Sequence, residues 1–288
     1  MTKILEKTLK IAVQKSDRIA NDFLDLMKDC GLNTYGVQKK LYCKIAELPI
    51  ELYFVRGSDI PSLLQNQFDL AVLGEDSFLE YKLDKITNIA KRLNFAKCHL
   101  SFAGKNINKN NFNLTILENK NIATTYTSIL QNFLDTKKIS ANIVKMNGSV
   151  ETSIELGFAD FIFDIVQTGS TLFQQGLIEC QRILNLEALL IVKNGFSSQI
   201  LTKLLTRINA VLLGKQQKYI MFNLKKELLT RILPMLPSAN SPTILNLANS
   251  DYVAIHTLCE KTKIWEICEQ LKAEGAEGII INDVGLMF

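Results

Sequence analysis

Residue types suited to binding a phosphorylated ligand lie together in one segment, Asp160 to Leu172. An apolar run carrying Asp160 and Asp164 leads directly into Thr168-Gly169-Ser170-Thr171, which can open a helix. Such a turn presents backbone N–H groups and three hydroxyls at the positive end of a helix dipole, and glycine allows close approach. The segment predicts a phosphate-monoester site, with Asp160 or Asp164 placed to reach sugar hydroxyls or Mg²⁺. A turn that only caps a helix is the alternative interpretation.

Length and composition set the broad class of the protein. The 288 residues correspond to about two domains at ~150 residues each. With 47% hydrophobic and 22% charged residues, disordered and fibrous classes are excluded. The net charge of +4 is too small to indicate a nucleic acid or a membrane as the main partner.

The N-terminus and the cysteines indicate a cytoplasmic protein. No signal-peptide core follows Met1 to Lys7, and no run approaches the ~20 apolar residues of a membrane span. The six cysteines lack metal-ligand spacing, and the only histidines are His99 and His256. We expect reduced, packed thiols and no zinc site.

Most of the chain alternates short apolar runs with helical stretches, which is typical of α/β layering. Helices are expected after Arg18, near Asp59, and over 128–138 and 198–214. Strands are expected over residues 9–13, 50–55, 69–74, 98–103, 121–126, 142–146, 160–166 and 183–192.

The last ~70 residues have a different pattern. Strands over 219–224, 243–247, 252–259 and 278–281 are separated by helices over 225–233 and 264–273. This βαββαβ order is that of a ferredoxin-like domain.

The acid-bearing strand followed by Thr-Gly-Ser-Thr resembles the 5-phosphoribosyl 1-diphosphate (PRPP) motif of phosphoribosyltransferases. Further segments are similar to the long form of ATP phosphoribosyltransferase, the first enzyme of histidine biosynthesis. They are Leu9 to Ser16, Arg18, Leu48 to Ile50, Val55-Arg56, Asp59 to Pro61, Asp69-Leu70, Gly74-Glu75, Ile122 to Thr124, Asn147 to Glu151, Lys218 to Met221, Ser241 to Ile244 and Val253 to Ile255.

The resemblance implies a fold and a reaction. Two lobes like those of periplasmic binding proteins would enclose a cleft, formed by 1–96 with 187–217 and by 97–186, and 218–288 would be regulatory. The family transfers the phosphoribosyl group of PRPP to N1 of the adenine of ATP and releases diphosphate. It uses Mg²⁺ held mainly by substrate phosphates. Its long form assembles from dimers into a hexamer and is inhibited by histidine.

The resemblance also assigns roles to residues. The expected PRPP residues are Glu151, Asp160, Asp164, Thr168, Gly169, Ser170 and Thr171. The expected ATP and polyphosphate residues are Gln14, Lys15, Arg18, Arg56, Gly74 and Glu75. The expected histidine site comprises Asn223, Ser241, Thr243, Leu258 and Gly278.

Four positions depart from the family pattern. Asp17 replaces a glycine, Gly57-Ser58 replaces two aspartates, and Asn223 replaces an aspartate. Two alternatives to the active enzyme therefore stay open at this point. One is a catalytically impaired or regulatory paralogue, and the other is a two-lobed small-molecule binding protein.

Overall fold

The computed structural model describes residues 8–33, 41–105, 107, 111–237, 242–249 and 251–288. Contacts divide the chain into two compact units, residues 1–25 with 32–200 and residues 26–31 with 201–288. The first unit contains two α/β lobes, and the second contains the C-terminal sheet.

The strands lie within one or two residues of most expected positions. In chain order they are β1 (Leu9–Gln14), β2 (Tyr42–Ile45), β3 (Ile50–Val55), β4 (Leu70–Gly74), β5 (Thr87–Arg92), β6 (Cys98–Gly104), β7 (Asn121–Thr124), β8 (Asn142–Lys145), β9 (Phe161–Val166), β10 (Ile178–Leu186), β11 (Ala188–Lys193), β12 (Gln217–Lys225), β13 (Thr243–Asn246), β14 (Tyr252–Glu260) and β15 (Glu277–Asp283).

Helices and short 3₁₀ turns connect these strands. The helices are α1 (Asp17–Asp29), α2 (Ile60–Asn66), α3 (Glu75–Glu80), α4 (Thr127–Lys137), α5 (Thr152–Glu155), α6 (Ser170–Gln174), α7 (Gln199–Gln216), α8 (Leu229–Ile232) and α9 (Ile264–Ala273). The 3₁₀ turns are Gly57–Asp59, Leu83–Lys85, Leu114–Leu117, Lys226–Leu228, Leu233–Met235 and Lys261–Lys263.

The first lobe is built on a six-stranded sheet of order β2-β3-β1-β4-β11-β5. Strands β3, β1 and β4 are parallel neighbours, so their carboxyl ends lie at one edge of the sheet. Ligands of open α/β sheets bind at such an edge. Every residue of β4 is buried, and Ile60, Leu64 and Phe78 of α2 and α3 pack on this sheet.

The second lobe is built on a five-stranded sheet of order β10-β6-β9-β7-β8. Its core centres on Phe102 of β6, whose ring centroid lies 4.9 Å from that of Phe163 and 5.6 Å from that of Phe133. Leu130 and Leu134 of α4 complete this core. The turn Thr168–Thr171 therefore follows β9, an inner strand that pairs with both β6 and β7.

The single strand expected over 183–192 is two strands in two different sheets. Strand β10 ends at Leu186 in the second lobe, and β11 begins at Ala188 in the first. The continuous apolar run concealed this change because buried strands of either sheet have the same composition. Strands β2 and β5, for which no expectation was made, lie at the two edges of the first sheet and carry charged residues.

The C-terminal sheet has the order β13-β14-β12-β15 with antiparallel neighbours. Numbered by their own sequence, these strands run 2-3-1-4, which is the ferredoxin-like arrangement. One face packs on α9 through Phe222, Ile255, Ile267 and Leu271. The expected combination of two α/β lobes and a ferredoxin-like C-terminal domain is thus confirmed.

Replacing Phe163 by alanine tests whether the strand that precedes the turn is part of the core of the second lobe. We expect the free energy of unfolding to fall by about 3–5 kcal/mol, because a fully buried ring would leave a cavity. Urea denaturation measures this change. The matched control is Phe173→Ala, whose ring is 84% exposed and whose loss should cost within about 0.5 kcal/mol. Equal losses for both variants would contradict the assigned core.

Candidate active site

The turn between β9 and α6 has the geometry of an open anion-binding loop. Gly169 has a φ of +78°, a left-handed conformation that favours glycine, and α6 begins at the next residue. The hydroxyls of Thr168 and Ser170 lie 3.0 Å apart and both side chains are exposed. Thr171 is also exposed. The turn therefore presents its hydroxyl groups to solvent or to a ligand rather than to the protein core.

A cavity of about 270 Å³ lies against this turn. Its wall combines Arg18 at the start of α1 with Glu151, Asp164 and the turn residues Thr168, Gly169, Ser170 and Thr171. The first lobe thus supplies a cation, and the second supplies hydroxyls, backbone groups and two carboxylates. Residues far apart in sequence thus line one cavity.

Asp164 is the acid of β9 that reaches the cavity. Its Oδ1 accepts a hydrogen bond from the Ile165 N–H at 2.8 Å. Burial raises the pKa of this carboxyl to about 6, and the neighbouring charges of Glu151 and Asp76 act in the same direction. A carboxylate destabilised in this way is poised to gain a cation or hydroxyl partner from a ligand.

Asp160, expected among the PRPP residues, does not line this cavity. It precedes β9, whereas the turn follows β9, and the four steps of extended chain from Asp160 to Asp164 span ~13 Å. Its carboxylate accepts the Asn121 N–H at 2.9 Å and lies 3.5 Å from Lys120 Nζ. Asp160 therefore ties β7 to β9 at the far end of the strands.

The first lobe brings Gln14 and Gly74, two of the expected residues, to one sheet edge. Gln14 at the end of β1 accepts the Gly74 N–H at 3.0 Å through its side-chain oxygen. Gly57, just after the neighbouring β3, lies against Gln14, because a Cβ there would lie 3.3 Å from the Gln14 carboxamide. A Cβ at position 74 would collide with the Asp76 carboxylate.

The cations Lys15 and Arg56 lie at the same edge. Lys15 follows β1 and its backbone N–H donates to Val55 at 2.6 Å, and Arg56 follows β3. Both side chains are exposed, and within the described ranges neither has an ion-pair partner. Arg18 is the one of the three expected cations that lines the cavity of the turn.

Glu75, one of the residues expected on the ATP side, is already paired in the structure. Arg92 of β5 donates to both of its carboxylate oxygens, at 2.9 and 2.6 Å, and also reaches Glu187 at 3.2 Å. Glu75 is buried, so this bidentate pair satisfies both of its oxygens. Its role in the structure is to fix β5 and the segment between β10 and β11 to α3.

The next residue, Asp76, is an acid close to Arg18 and Asp164 that sequence analysis did not identify. It is buried, and desolvation raises the pKa of its carboxyl while the charge of Arg18 lowers it. The hydroxyls of Ser77 and Tyr126 donate to its Oδ2 at 3.3 and 3.4 Å. Burial and the nearby acids raise the pKa of Tyr126, which keeps its hydroxyl a donor.

Arg18 also contacts the second lobe outside the cavity. Its Nη2 lies 3.8 Å from the Cys98 sulfur. Burial raises the pKa of the Cys98 thiol, so it remains neutral at physiological pH. We therefore assign Cys98 a packing role beside Arg18.

Four of the residues expected to form a histidine site share one face of the C-terminal sheet. Alternation along β12 and β14 places Asn223 and Leu258 on the face opposite the buried core, and Thr243 pairs with His256 of that face. A Cβ at Gly278 would lie 3.8 Å from the Asn223 amide nitrogen. Ser241 lies outside the described residues.

Two general properties complete the description of the site. Among the described residues, no group of three or more His, Cys, Asp or Glu side chains could by itself hold a metal ion. Within the same residues, no helix is both long enough and apolar enough to cross a membrane.

Comparisons with known proteins give consistent results. The family described as ATP phosphoribosyltransferase matches residues 56–210, and the family described as HisG, C-terminal domain, matches residues 214–285. The chain is 38% identical to the ATP phosphoribosyltransferase of Bacteroides thetaiotaomicron over 284 residues, 97% of this chain and 99% of that protein. It is 37% identical to that of Phocaeicola vulgatus over the same shares of both chains.

A solved structure supports the fold. The ATP phosphoribosyl transferase (HisG:HisZ) complex from Thermotoga maritima contains a chain that matches with a TM-score of 0.57 and 22% identity. The match covers 70% of this chain and 98% of that one.

The raised pKa of Asp164 predicts a pH-dependent penalty on stability. The folded-state value of about 6 lies above the ordinary 3.8, so the penalty is absent below the ordinary value and grows as the pH rises through 6. Asp164→Asn removes it. Relative to wild type, the variant should gain about 1 kcal/mol of unfolding free energy between pH 5 and 7.5. Urea unfolding at both pH values measures this gain.

The control is Asp135→Asn, an exposed aspartate of α4 in the same lobe. It separates the effect of this site from the general loss of one carboxylate. If the stability difference between Asp164→Asn and wild type is the same at both pH values, the buried, destabilised carboxylate is ruled out.

Proposed function

The chain belongs to the ATP phosphoribosyltransferase family, and from this premise we propose that the cavity at Thr168–Thr171 binds the 5′-phosphate of PRPP. The enzyme transfers the phosphoribosyl group of PRPP to N1 of the adenine of ATP, the first step of histidine biosynthesis. Family membership sets aside the alternative of a two-lobed binding protein.

One observation carries the assignment of the cavity. The hydroxyl-rich turn of the second lobe and Arg18 of the first lobe line the same cavity. PRPP has a phosphate at one end of the ribose and a diphosphate at the other. The turn suits the monoester, and the Arg18 guanidinium suits the diphosphate because it donates several hydrogen bonds to an anion.

Asp164 and Glu151 line the same cavity as the turn and Arg18. We propose that they accept hydrogen bonds from the ribose hydroxyls. They also fit Mg²⁺, which in proteins is held by one or two carboxylates together with substrate phosphates rather than by a complete protein cage. When bound, the metal neutralises charge on the departing diphosphate.

The first lobe provides the ATP side. Lys15 and Arg56 are exposed at the edge where Gln14 and Gly74 meet, and we propose that they neutralise the triphosphate. Adenine N1 is itself a nucleophile, so the protein has to position two polyanions in line and stabilise the leaving group. This chemistry requires no nucleophilic serine or cysteine.

Regulation and assembly are part of the same proposal. We assign 1–96 with 187–217 and 97–186 to the catalytic lobes and 218–288 to a regulatory domain. Histidine would bind at Asn223, Thr243, Leu258 and Gly278, with Ser241 included from the resemblance alone. Dimers would assemble into a hexamer.

All six cysteines are free thiols, which supports a reducing compartment, the cytoplasm.

Thr171→Val tests the phosphate site. It removes one hydroxyl donor from the turn and keeps the size of the side chain, so we expect the KM for PRPP to rise about tenfold, corresponding to ~1.4 kcal/mol for a hydrogen bond to a charged group. The KM for ATP should change less than twofold. Diphosphate release with PRPP, ATP and Mg²⁺ is the assay.

The control is Thr136→Val, the same chemical change on the exposed side of α4. It should leave both KM values unchanged. A wild-type KM for PRPP in Thr171→Val would show that the 5′-phosphate binds elsewhere.

Asn223→Ala tests the histidine site. We expect histidine to inhibit wild-type turnover and the half-inhibitory concentration to rise at least about fivefold in the variant, because a donor and acceptor group is lost from the face described above. Uninhibited turnover should stay the same. Asn246→Ala, on β13 and paired with Val253 of the opposite face, is the control. Equal inhibition of all three proteins would exclude this face as the inhibitor site.

A further inference from the structure

Helix α3 of the first lobe makes three contacts with the second lobe. Asp76 accepts a hydrogen bond from the Tyr126 hydroxyl, and Leu79 packs against the cores of both lobes. Glu80, at the end of the helix, reaches the start of α4. Positions 76, 79 and 80 lie on one helix face, so a six-residue helix presents a continuous surface to the other lobe.

The carboxylate of Glu80 accepts hydrogen bonds from three consecutive residues of the second lobe. The Ser128 N–H donates to both of its carboxylate oxygens at 3.0 Å, and the Ile129 N–H donates to Oε2 at 3.1 Å. The Thr127 hydroxyl adds a fourth contact at 3.2 Å. The carboxylate therefore occupies the N-terminus of α4, where backbone N–H groups lack helical partners.

Helix α4 has no cap of its own. Tyr126 occupies the N-cap position, and its side chain makes no capping hydrogen bond. The residue that normally performs this task is Ser, Thr, Asp or Asn immediately before the helix. The cap of α4 comes instead from Glu80, which lies 48 positions before Ser128 and in the first lobe. Capping this helix therefore requires the two lobes to lie at the distance that this contact spans.

We propose that Glu80 is a positioning residue which, by capping α4 from the other lobe, holds the lobes at the separation that PRPP spans. The inference rests on the proposed function of the cavity. Arg18 and the turn at Thr168–Thr171 stand on different lobes, and both must contact one PRPP molecule. A change in lobe separation would leave each group intact and still misplace one end of the substrate.

Glu80→Gln tests this role at nearly constant size. The amide keeps one acceptor and places an NH₂ group against N–H donors, so the backbone amides of Ser128 and Ile129 should exchange with deuterium about tenfold faster. The KM for PRPP should rise about three- to tenfold, because apparent affinity falls with the fraction of molecules in the competent arrangement. The kcat should stay within about twofold, since saturating substrate restores that arrangement.

Ribose 5-phosphate distinguishes positioning from damage to the second lobe. This fragment carries the 5′-phosphate and the ribose but has no diphosphate for Arg18, so it needs only the second lobe. Its inhibition constant against PRPP should be the same in Glu80→Gln as in wild type.

Glu118→Gln is the matched control. Glu118 accepts the Ser140 N–H through both carboxylate oxygens, at 3.3 and 3.2 Å, and both residues lie in the second lobe. The substitution removes a similar carboxylate–backbone interaction without involving the first lobe. It should leave the KM for PRPP unchanged.

Three results would overturn the proposal. An unchanged exchange rate at Ser128 and Ile129 would mean that the contact is not made. Faster exchange with a wild-type KM for PRPP would mean that Glu80 caps α4 without positioning the lobes for the substrate. A parallel rise in the PRPP KM and the ribose 5-phosphate inhibition constant would indicate damage within the second lobe. Failure of the cavity assignment would appear separately, as a wild-type PRPP KM in Thr171→Val.

Discussion

Carboxylates crowded around one arginine are the constraint on which the catalytic site depends. Asp164 and Glu151 line the cavity with Arg18, and the charge of Arg18 acts on the buried Asp76 as well. Burial raises the pKa of both Asp164 and Asp76, and the charges of Glu151 and Asp76 raise that of Asp164 further. Adding a polyanionic substrate to such a site is unfavourable unless cations arrive with it. The arrangement therefore suits a substrate that brings a divalent metal on its phosphates and leaves ribose hydroxyls for the acids.

Local sequence was sufficient to predict the glycine turn and the helix that follows it, but not the positions of the acids around the turn. Strand β9, Gly169 and the start of α6 follow one another along the chain, so their geometry is decided by neighbouring residues. Asp160 and Asp164 share a face of the strand by periodicity, yet they lie near opposite ends of it. Only the pairing of β9 with β7 shows that Asp160 is used at the end away from the turn.

The acids of α3 illustrate a different limit. Glu75 and Asp76 are adjacent in the sequence, and a six-residue helix without its own periodic pattern gives no sign of which faces the cleft. Tertiary contacts decide the matter, since Arg92 of an edge strand binds Glu75 and leaves Asp76 to Tyr126. Because β5 was not expected from its charged sequence, the partner of Glu75 could not be identified. The fold class could be predicted from the sequence because the spacing of apolar residues indicates which faces are buried. No local sequence pattern indicates which residues form ion pairs across a sheet.

A two-lobed α/β architecture can serve either ligand binding or catalysis. Two sheets whose carboxyl edges face a common cleft can bind a small molecule there, with or without a reaction on it. A group-transfer enzyme must in addition fix two reactants relative to each other, and small errors in that distance are costly. A helix of one lobe that is capped by a carboxylate of the other lobe links secondary structure to the lobe arrangement. Such a link makes a defined separation part of the folded state, which fits a site whose cation and hydroxyl-rich turn lie on different lobes.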